Sequence, residues 1–202
     1  MQYIVFDTET TGLSASDEVV QFAGLLLDEK LDLVNIINFY CQTQVALSPG
    51  ASEITHLNGK LLHTLSGGKF FEDYYCSVPV FRFPDLVWIG YNVSFDCRMI
   101  NNTLTNNGLP LHNFGNKIVN LDRTEGIYNF DVMQLVAAGN NGIKKKLADA
   151  ANGLPHSQDE LEQMFQKLLK LTGSPAEICF HNALYDAMVT WLVLVNRKSR
   201  GL

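Results

Sequence analysis

Two carboxylates two residues apart, Asp7 and Glu9, follow the short apolar run Gln2-Tyr3-Ile4-Val5-Phe6. Alternate side chains of an extended strand share a face, so the two acids emerge together. Like charges held side by side repel unless a cation lies between them, which makes the pair a candidate Mg2+ or Mn2+ site. Two solvated acids in a turn give the same pattern. The apolar character of Ile4-Val5-Phe6 argues for a sheet end, where open α/β sheets carry their sites. Asp96 and Asp186 each fall in the first turn of an expected helix, where the helix dipole alone also favours an acid. His181 precedes the second of these helices by two residues and so belongs to a loop, where a lone histidine is commonly a plain surface residue.

The elements that must hold these groups can be read from pattern. Residues 2–6, 19–27 and 32–41 are β-rich and are separated by breaks at Gly12-Leu13-Ser14 and Asp28-Glu29-Lys30, which suits a three-strand antiparallel meander. Leu86-Val87-Trp88-Ile89-Gly90 reads as a buried strand. Ser94 is a candidate cap for a helix running to about Asn107, where Gly108 and Pro110 stop it. Ser157 and Glu160 form a capping box for a helix over 157–171, with Leu161, Met164, Phe165, Leu168 and Leu169 at helical spacing. A last helix over 183–197 carries Ala183, Leu184, Ala187, Trp191, Leu192 and Val195. Strands first, then a strand-helix unit, then helices indicate a mixed sheet with helices on its faces. The aromatic segment Phe70 to Phe83 stays open: its β-branched and aromatic content suits a strand, whereas Pro79 and the acidic pair Glu72-Asp73 suit a helix.

Composition bounds the class. With 202 residues, 47% hydrophobic and 18% charged, the chain can bury one sizeable core, removing about 70% of its unfolded surface from water. One domain over 1–202 is expected. No apolar run reaches the roughly 18 to 20 residues that cross a bilayer, and the N-terminus has no basic region before its apolar stretch, so it does not read as a signal peptide. A cytoplasmic protein with no membrane association is the expectation. Cys41, Cys76, Cys97 and Cys179 lie far apart without a CxxC pair, which suits reduced, semi-buried thiols rather than a disulfide framework or a zinc site. The formal net charge of −6 argues against a broad basic footprint on long duplex DNA, because such binding is phosphate neutralisation by Lys and Arg. An enzyme gripping a few nucleotides through metal ions is compatible with it.

Three segments in order carry a family resemblance: Val5-Phe6-Asp7-Thr8-Glu9-Thr10-Thr11-Gly12-Leu13, Gly90-Tyr91-Asn92-Val93-Ser94-Phe95-Asp96, and His181-Asn182-Ala183-Leu184-Tyr185-Asp186-Ala187. Together they resemble the exonuclease motifs of the DEDD superfamily, and the His five residues before the last Asp places them in its DEDDh, or DnaQ-like, branch. Ile54-Thr55-His56-Leu57-Asn58 is similar to a minor family motif. The second motif has Tyr91 where many relatives carry a His before the Asn, and the segment 70–83 lies where the family has a helix.

The resemblance implies an α/β, ribonuclease H-like fold, with a mixed five-stranded sheet flanked by helices. It implies a 3′–5′ exonuclease that hydrolyses terminal phosphodiesters of DNA or RNA with two Mg2+ ions, Mn2+ substituting, and releases nucleoside 5′-monophosphates. Asp7 would bridge the ions, Glu9 and Asp186 would complete the first, Asp96 would hold the second, and His181 would be the general base, imidazole being the side chain that titrates nearest neutrality. Matching positions put Thr8 and Thr10 near the terminal sugar and phosphate, Leu13 and Phe95 against base or sugar, and His56 near the terminal base or phosphate. For Leu13 and Phe95, core packing is the alternative. Lys144-Lys145-Lys146 reads either as a phosphate contact further from the cut or as a solvated helix start.

The expected partner is the 3′ end of a single-stranded nucleic acid. Polymerase association belongs to part of the family, but the chain ends soon after its last helix, which favours a stand-alone enzyme or a short phage or bacterial relative. Oligomeric state is not legible. A 3′–5′ exoribonuclease and a non-catalytic nucleic-acid or polymerase-binding module are the alternatives, and the five intact motif residues oppose the module. A haloacid dehalogenase-type phosphatase would need an Asp where Glu9 stands and has no counterpart of the His181 segment.

Overall fold

A computed structural model describes residues 2–119, 121, 126–173 and 181–199. The meander is present as β1 (Gln2–Thr10), β2 (Val19–Leu27) and β3 (Leu33–Tyr40). Three parallel strands extend it: β4 (Leu86–Gly90), β5 (Asn116–Ile118) and β6 (Ile127–Asp131). The sheet has six strands in the order β3-β2-β1-β4-β6-β5, with β1 antiparallel to β2 and parallel to β4. It is therefore the expected mixed sheet, with one strand beyond the expected five. The extra strand, β5, is a three-residue edge, too short to leave a periodic signature.

The eight helices among the described residues are α1 (Pro49–Thr55), α2 (Gly59–Ser66), α3 (Phe71–Ser77), α4 (Val93–Asn106), α5 (Val132–Ala138), α6 (Leu147–Ala151), α7 (Gln158–Thr172) and α8 (Ala183–Ser199). Helix α8 lies across β1 and β2. On that face Val5, Ala23, Leu25 and Ile89 pack with Leu184, Met188 and Phe165. On the other face Ile4, Phe6, Phe22 and Trp88 pack with Met99 and Ile100 of α4 and with Phe81 and Phe114. Burial of both faces is why β2 is buried at every position.

The segment 70–83 resolves to helix. Asp73 accepts a hydrogen bond from the Phe70 N–H at 2.9 Å, satisfying a donor at the start of α3, and Pro79 opens a 3-10 turn over Pro79–Arg82, where a missing N–H costs little. Its aromatic residues make a layer over the sheet: the ring of Tyr74 stacks on Phe39 at 4.1 Å and that of Phe81 on Trp88 at 5.8 Å. Helix α4 starts earlier than the expected cap at Ser94. Asn92, in the left-handed region at φ 67°, is its first flanking residue. The Ser157–Glu160 capping box of α7 is present in both directions.

Among the described residues no disulfide occurs; Cys41 is buried, Cys97 half-buried and Cys76 exposed, the last correcting the semi-buried expectation. Cys179 falls outside the described residues. No described helix is long and apolar enough to cross a membrane.

Phe6 sits between the rings of Phe22, Trp88 and Phe114, directly before Asp7. Phe6→Ala should destabilise the fold by about 3–5 kcal/mol through the lost burial and the residual cavity, read as a lower urea midpoint with an unchanged m-value.

Candidate functional site

Alternation along β1 divides its residues between the two sides of the sheet. Tyr3 and Val5 join the core beneath α8, so Asp7 and Glu9 continue toward α8. Ile4 and Phe6 join the core beneath α4, so Thr8 and Thr10 continue toward α4. Each helix brings one more acid to the strand. Asp96, one turn into α4 and buried, accepts hydrogen bonds on Oδ1 from the Thr8 N–H at 3.0 Å and the Thr8 hydroxyl at 2.7 Å. Asp186, in the first turn of α8, comes together with Asp7 and Glu9: the candidate ligand oxygens of the three lie within 4.8 Å of one another. All three carboxylates are half-buried.

Helix α8 is registered on the sheet by a buried amide network that the sequence pattern had not singled out. Asn182 accepts on Oδ1 from the Leu184 N–H at 3.0 Å, capping the helix, and from Gln21 Nε2 at 3.1 Å. Its own amide donates to the Tyr40 hydroxyl at 2.9 Å. Gln21 accepts from the Ala183 N–H at 3.2 Å and donates also to Asn38 at 2.9 Å. Gln21 is the residue opposite Glu9 in the β1–β2 register, so the first turn of α8 is tied to the strand position facing a site acid. The available signal was one amide inside the otherwise apolar run Val19-Val20-Gln21-Phe22-Ala23. His181 stands just before this anchor, exposed and in the left-handed region at φ 50°. Asp131, also unforeseen, holds the turn before α4 by accepting from the Asn92 N–H at 3.0 Å, and it pairs with Lys117 at 3.5 Å.

The electrostatics follow from crowding. Burial, then the charges of Asp96, Asp186 and Glu9, pushes the Asp7 carboxyl well up from its ordinary range. Burial and the charges of Asp186 and Asp96 do the same to Glu9. Burial lifts Asp96 to about 7 in spite of the opposing Thr8 hydrogen bonds, and lifts Asp186 to about 6. Among the described residues no lysine or arginine pairs with any of these four acids. A convergent, all-oxygen donor set lacking a protein counter-charge fits hard divalent cations such as Mg2+ or Mn2+.

Beside the acids opens a cleft of about 550 Å³, lined by Thr8, Glu9, Thr10, Leu13, Ile54, Thr55 and Phe95, among others. The Thr10 hydroxyl donates to the Gly12 carbonyl at 2.7 Å. Leu13, 75% exposed, is presented by a loop knotted around Asp17. Burial opposes ionisation of Asp17, but hydrogen bonds from the Ser14 hydroxyl and N–H and from the Thr11 hydroxyl win and lower its pKa. A Cβ on Gly12 would come within 2.7 Å of that carboxylate, which explains the glycine. Arg98 lies over the Phe95 ring, 5.2 Å from its centre. Leu13 and Phe95 both line the cleft; Leu13 is exposed, whereas Phe95 also packs against the core beneath α4. His56 closes α1 at φ 57°, exposed and outside the cleft lining, where Ile54 and Thr55 of the same helix stand instead.

A mixed sheet with acids from β1, α4 and α8 gathered at the end of a central strand is the arrangement of ribonuclease H-like nucleases. The family model for RNase_T exonucleases matches residues 4–194. The chain belongs to this exonuclease family, in agreement with the DnaQ-like resemblance. No curated protein sequence matches it. Its fold is similar to that of E. coli exonuclease I in a zinc-bound complex with single-stranded DNA, at TM-score 0.68 and 21% identity, covering 98% of this chain and 40% of that one. It is also similar to a moderately thermophilic exonuclease I from Methylocaldum szegediense, at TM-score 0.64 and 20% identity, covering 99% of this chain and 40% of that one. The chain thus spans about two fifths of the length of these relatives.

Because the site acids bind protons more tightly in the fold than in the unfolded chain, they stabilise the metal-free fold at low pH. That contribution is lost as pH rises from the ordinary carboxylate range, near 4, through about 7. A bound divalent cation should offset the loss. The rise in melting temperature on adding Mn2+ to EDTA-treated protein should therefore be larger at pH 8 than at pH 5 and should largely vanish in Asp7→Asn. Equal rises at both pH values would exclude the four acids as its source.

Proposed function

We propose that this chain is a divalent-metal-dependent 3′–5′ exonuclease domain that removes nucleoside 5′-monophosphates from the end of single-stranded DNA. The observation that carries this reading is the meeting of Asp7, Glu9 and Asp186 within ligand distance of one another, with Asp96 held against the same strand. The DNA-bound state of the similar exonuclease I supports the choice of a single-stranded substrate.

Asp7, Glu9, Asp96 and Asp186 are the residues that would hold Mg2+, which supplies Lewis-acid charge at the scissile phosphodiester. Glu9 borders both the acidic cluster and the cleft, so a terminal nucleotide seated in the cleft presents its phosphodiester to the acids. Leu13, Ile54 and Phe95 give that nucleotide an apolar seat for base and sugar, with Thr8 and Thr10 on its inner side. His181, exposed beside the start of α8, takes a proton from the attacking water. Asn182, fixed by its cap hydrogen bond from the Leu184 N–H, separates His181 from the helix that carries Asp186. A terminal site of this kind needs an unpaired end, so circular single strands should resist it. We place the protein, as a single domain over 1–202, in the cytoplasm.

Incubation of a 5′-labelled oligonucleotide with Mg2+ should produce a ladder shortening from the 3′ end. Asp7→Asn should lower turnover by about 10³-fold or more. His181→Ala should lower kcat by about 10²- to 10⁴-fold while leaving oligonucleotide binding intact. Nicking of a circular single strand, or full activity in Asp7→Asn, would overturn the reading.

A further inference from the structure

The strip Lys144-Lys145-Lys146 remains outside the machinery described so far. It holds three of the chain's 15 lysines and arginines in consecutive positions, in a protein of formal net charge −6. All three residues are exposed, as is the preceding Ile143 at 63%. A lysine run is ordinarily a solvated face. Here its backbone is fastened on three sides.

Asn140 and Gly142 secure the near end. The Ile143 N–H donates to the Asn140 carbonyl at 2.9 Å, the Asn140 amide donates to the Ile143 carbonyl at 3.1 Å, and the Gly142 N–H donates to the Ala137 carbonyl at 2.8 Å. Leu147, packed against the core beneath α8, secures the far end. The middle is held by Tyr91, whose hydroxyl donates to the Lys145 carbonyl at 2.8 Å and also approaches the Lys146 carbonyl at 3.4 Å. Tyr91 directly follows β4 and is separated from α4, the helix carrying Asp96, only by Asn92. The lysines are therefore tethered to the same strand end that delivers a site acid. Tyr91 is also the position at which the second motif departs from its common form, and its phenol makes this tether.

Charge fits a polyanion. Asp149, exposed in the first turn of α6, offsets part of the strip, while Asp131, also near Tyr91, is already paired with Lys117 and two backbone N–H groups. With Arg197 also near Tyr91, the strip keeps a net positive charge beside the acids gathered at the end of β1. A nucleic-acid strand reaching those carboxylates gains from cations placed where its backbone leaves them, and a strip ordered in advance loses less entropy on binding than a mobile one.

We infer that Lys144, Lys145 and Lys146 form a landing surface for the phosphate backbone of a single strand, a few nucleotides from its reacting end. The inference rests on the nucleic-acid reading above. Its test compares the wild type with K144Q/K145Q/K146Q and with K30Q/K167Q/K170Q, which removes the same charge from exposed lysines elsewhere. Binding of a labelled single-stranded 12-mer is followed by anisotropy across a salt series, in Ca2+ to prevent cleavage. Neutralising three phosphate contacts corresponds to a change of about 2 in the slope of log Kd against log salt, at roughly 0.7 per contact on single strands. The strip variant should lose a slope of about that size and bind more weakly; the control variant should keep the wild-type slope. Hydrolysis of the p-nitrophenyl ester of thymidine 5′-monophosphate, which occupies the cleft alone, should be equal in all three proteins. Wild-type slope in the strip variant, or equal losses in both variants, would overturn the inference. A wild type that hydrolyses neither the ester nor the oligonucleotide would instead overturn the exonuclease reading, and the slopes would still judge the lysines.

Discussion

Four carboxylates are held together at one end of the central strand β1 against their mutual repulsion. Asp7 and Glu9 sit on a strand buried among neighbours, Asp96 is buried outright, and Asp186 is brought in by a helix packed across the sheet. Burial makes every one of these acids reluctant to ionise, and neighbouring carboxylates add to it at Asp7, Glu9 and Asp96. The remainder of the molecule can be understood as what is needed to hold such a cluster in place, since loose elements would let the charges drift apart.

The holding is done from both sides of β1. On the α4 side, Thr8 spends its hydroxyl and its N–H on Asp96, while Asp131 fixes the left-handed turn at Asn92 from which that helix departs. On the α8 side, Gln21, Asn182 and Tyr40 form a buried amide and phenol network that caps the helix and ties it to β2. Polar groups this deeply buried are costly unless each finds a partner, so a satisfied network specifies one helix register and penalises others. Burial beside Asn182 and Glu9 is reflected in Tyr40, whose hydroxyl is pushed up to about 12, chiefly by desolvation.

The surroundings of the acids differ in chemistry. The cleft beside Glu9 is framed by Leu13, Ile54 and Phe95, groups that favour a base or sugar without reading a particular edge. Its loop owes its shape to the Asp17 knot and to the absence of a side chain at Gly12. On the other flank the lysine strip is set by the Tyr91 tether. On the proposed reading, the apolar seat, acidic centre and basic flank would take the base, scissile phosphate and backbone of a nucleotide chain.

Much of this was legible in the sequence. The period of two places Asp7 and Glu9 on one face and the Ser157–Glu160 box starts α7, because these are local properties of a strand or a helix turn; Asp96, Asp186 and His181 were singled out by the family resemblance, and the fold brings the two acids among them to β1. Tertiary packing decided what local pattern leaves undetermined. Phe70–Phe83 had strand and helix character at once, and it became helix because its aromatic rings are covered by stacking against Phe39 and Trp88, residues distant in sequence. The extra edge strand β5 exists only by pairing with β6. Gln21 and Asn182 are 161 positions apart, and their hydrogen bond could appear only once β2 and α8 met. The substitution of Ile54 and Thr55 for His56 along the cleft depends on which way α1 turns its face, and helix orientation is set by contacts with the rest of the fold, not by the helix's own residues.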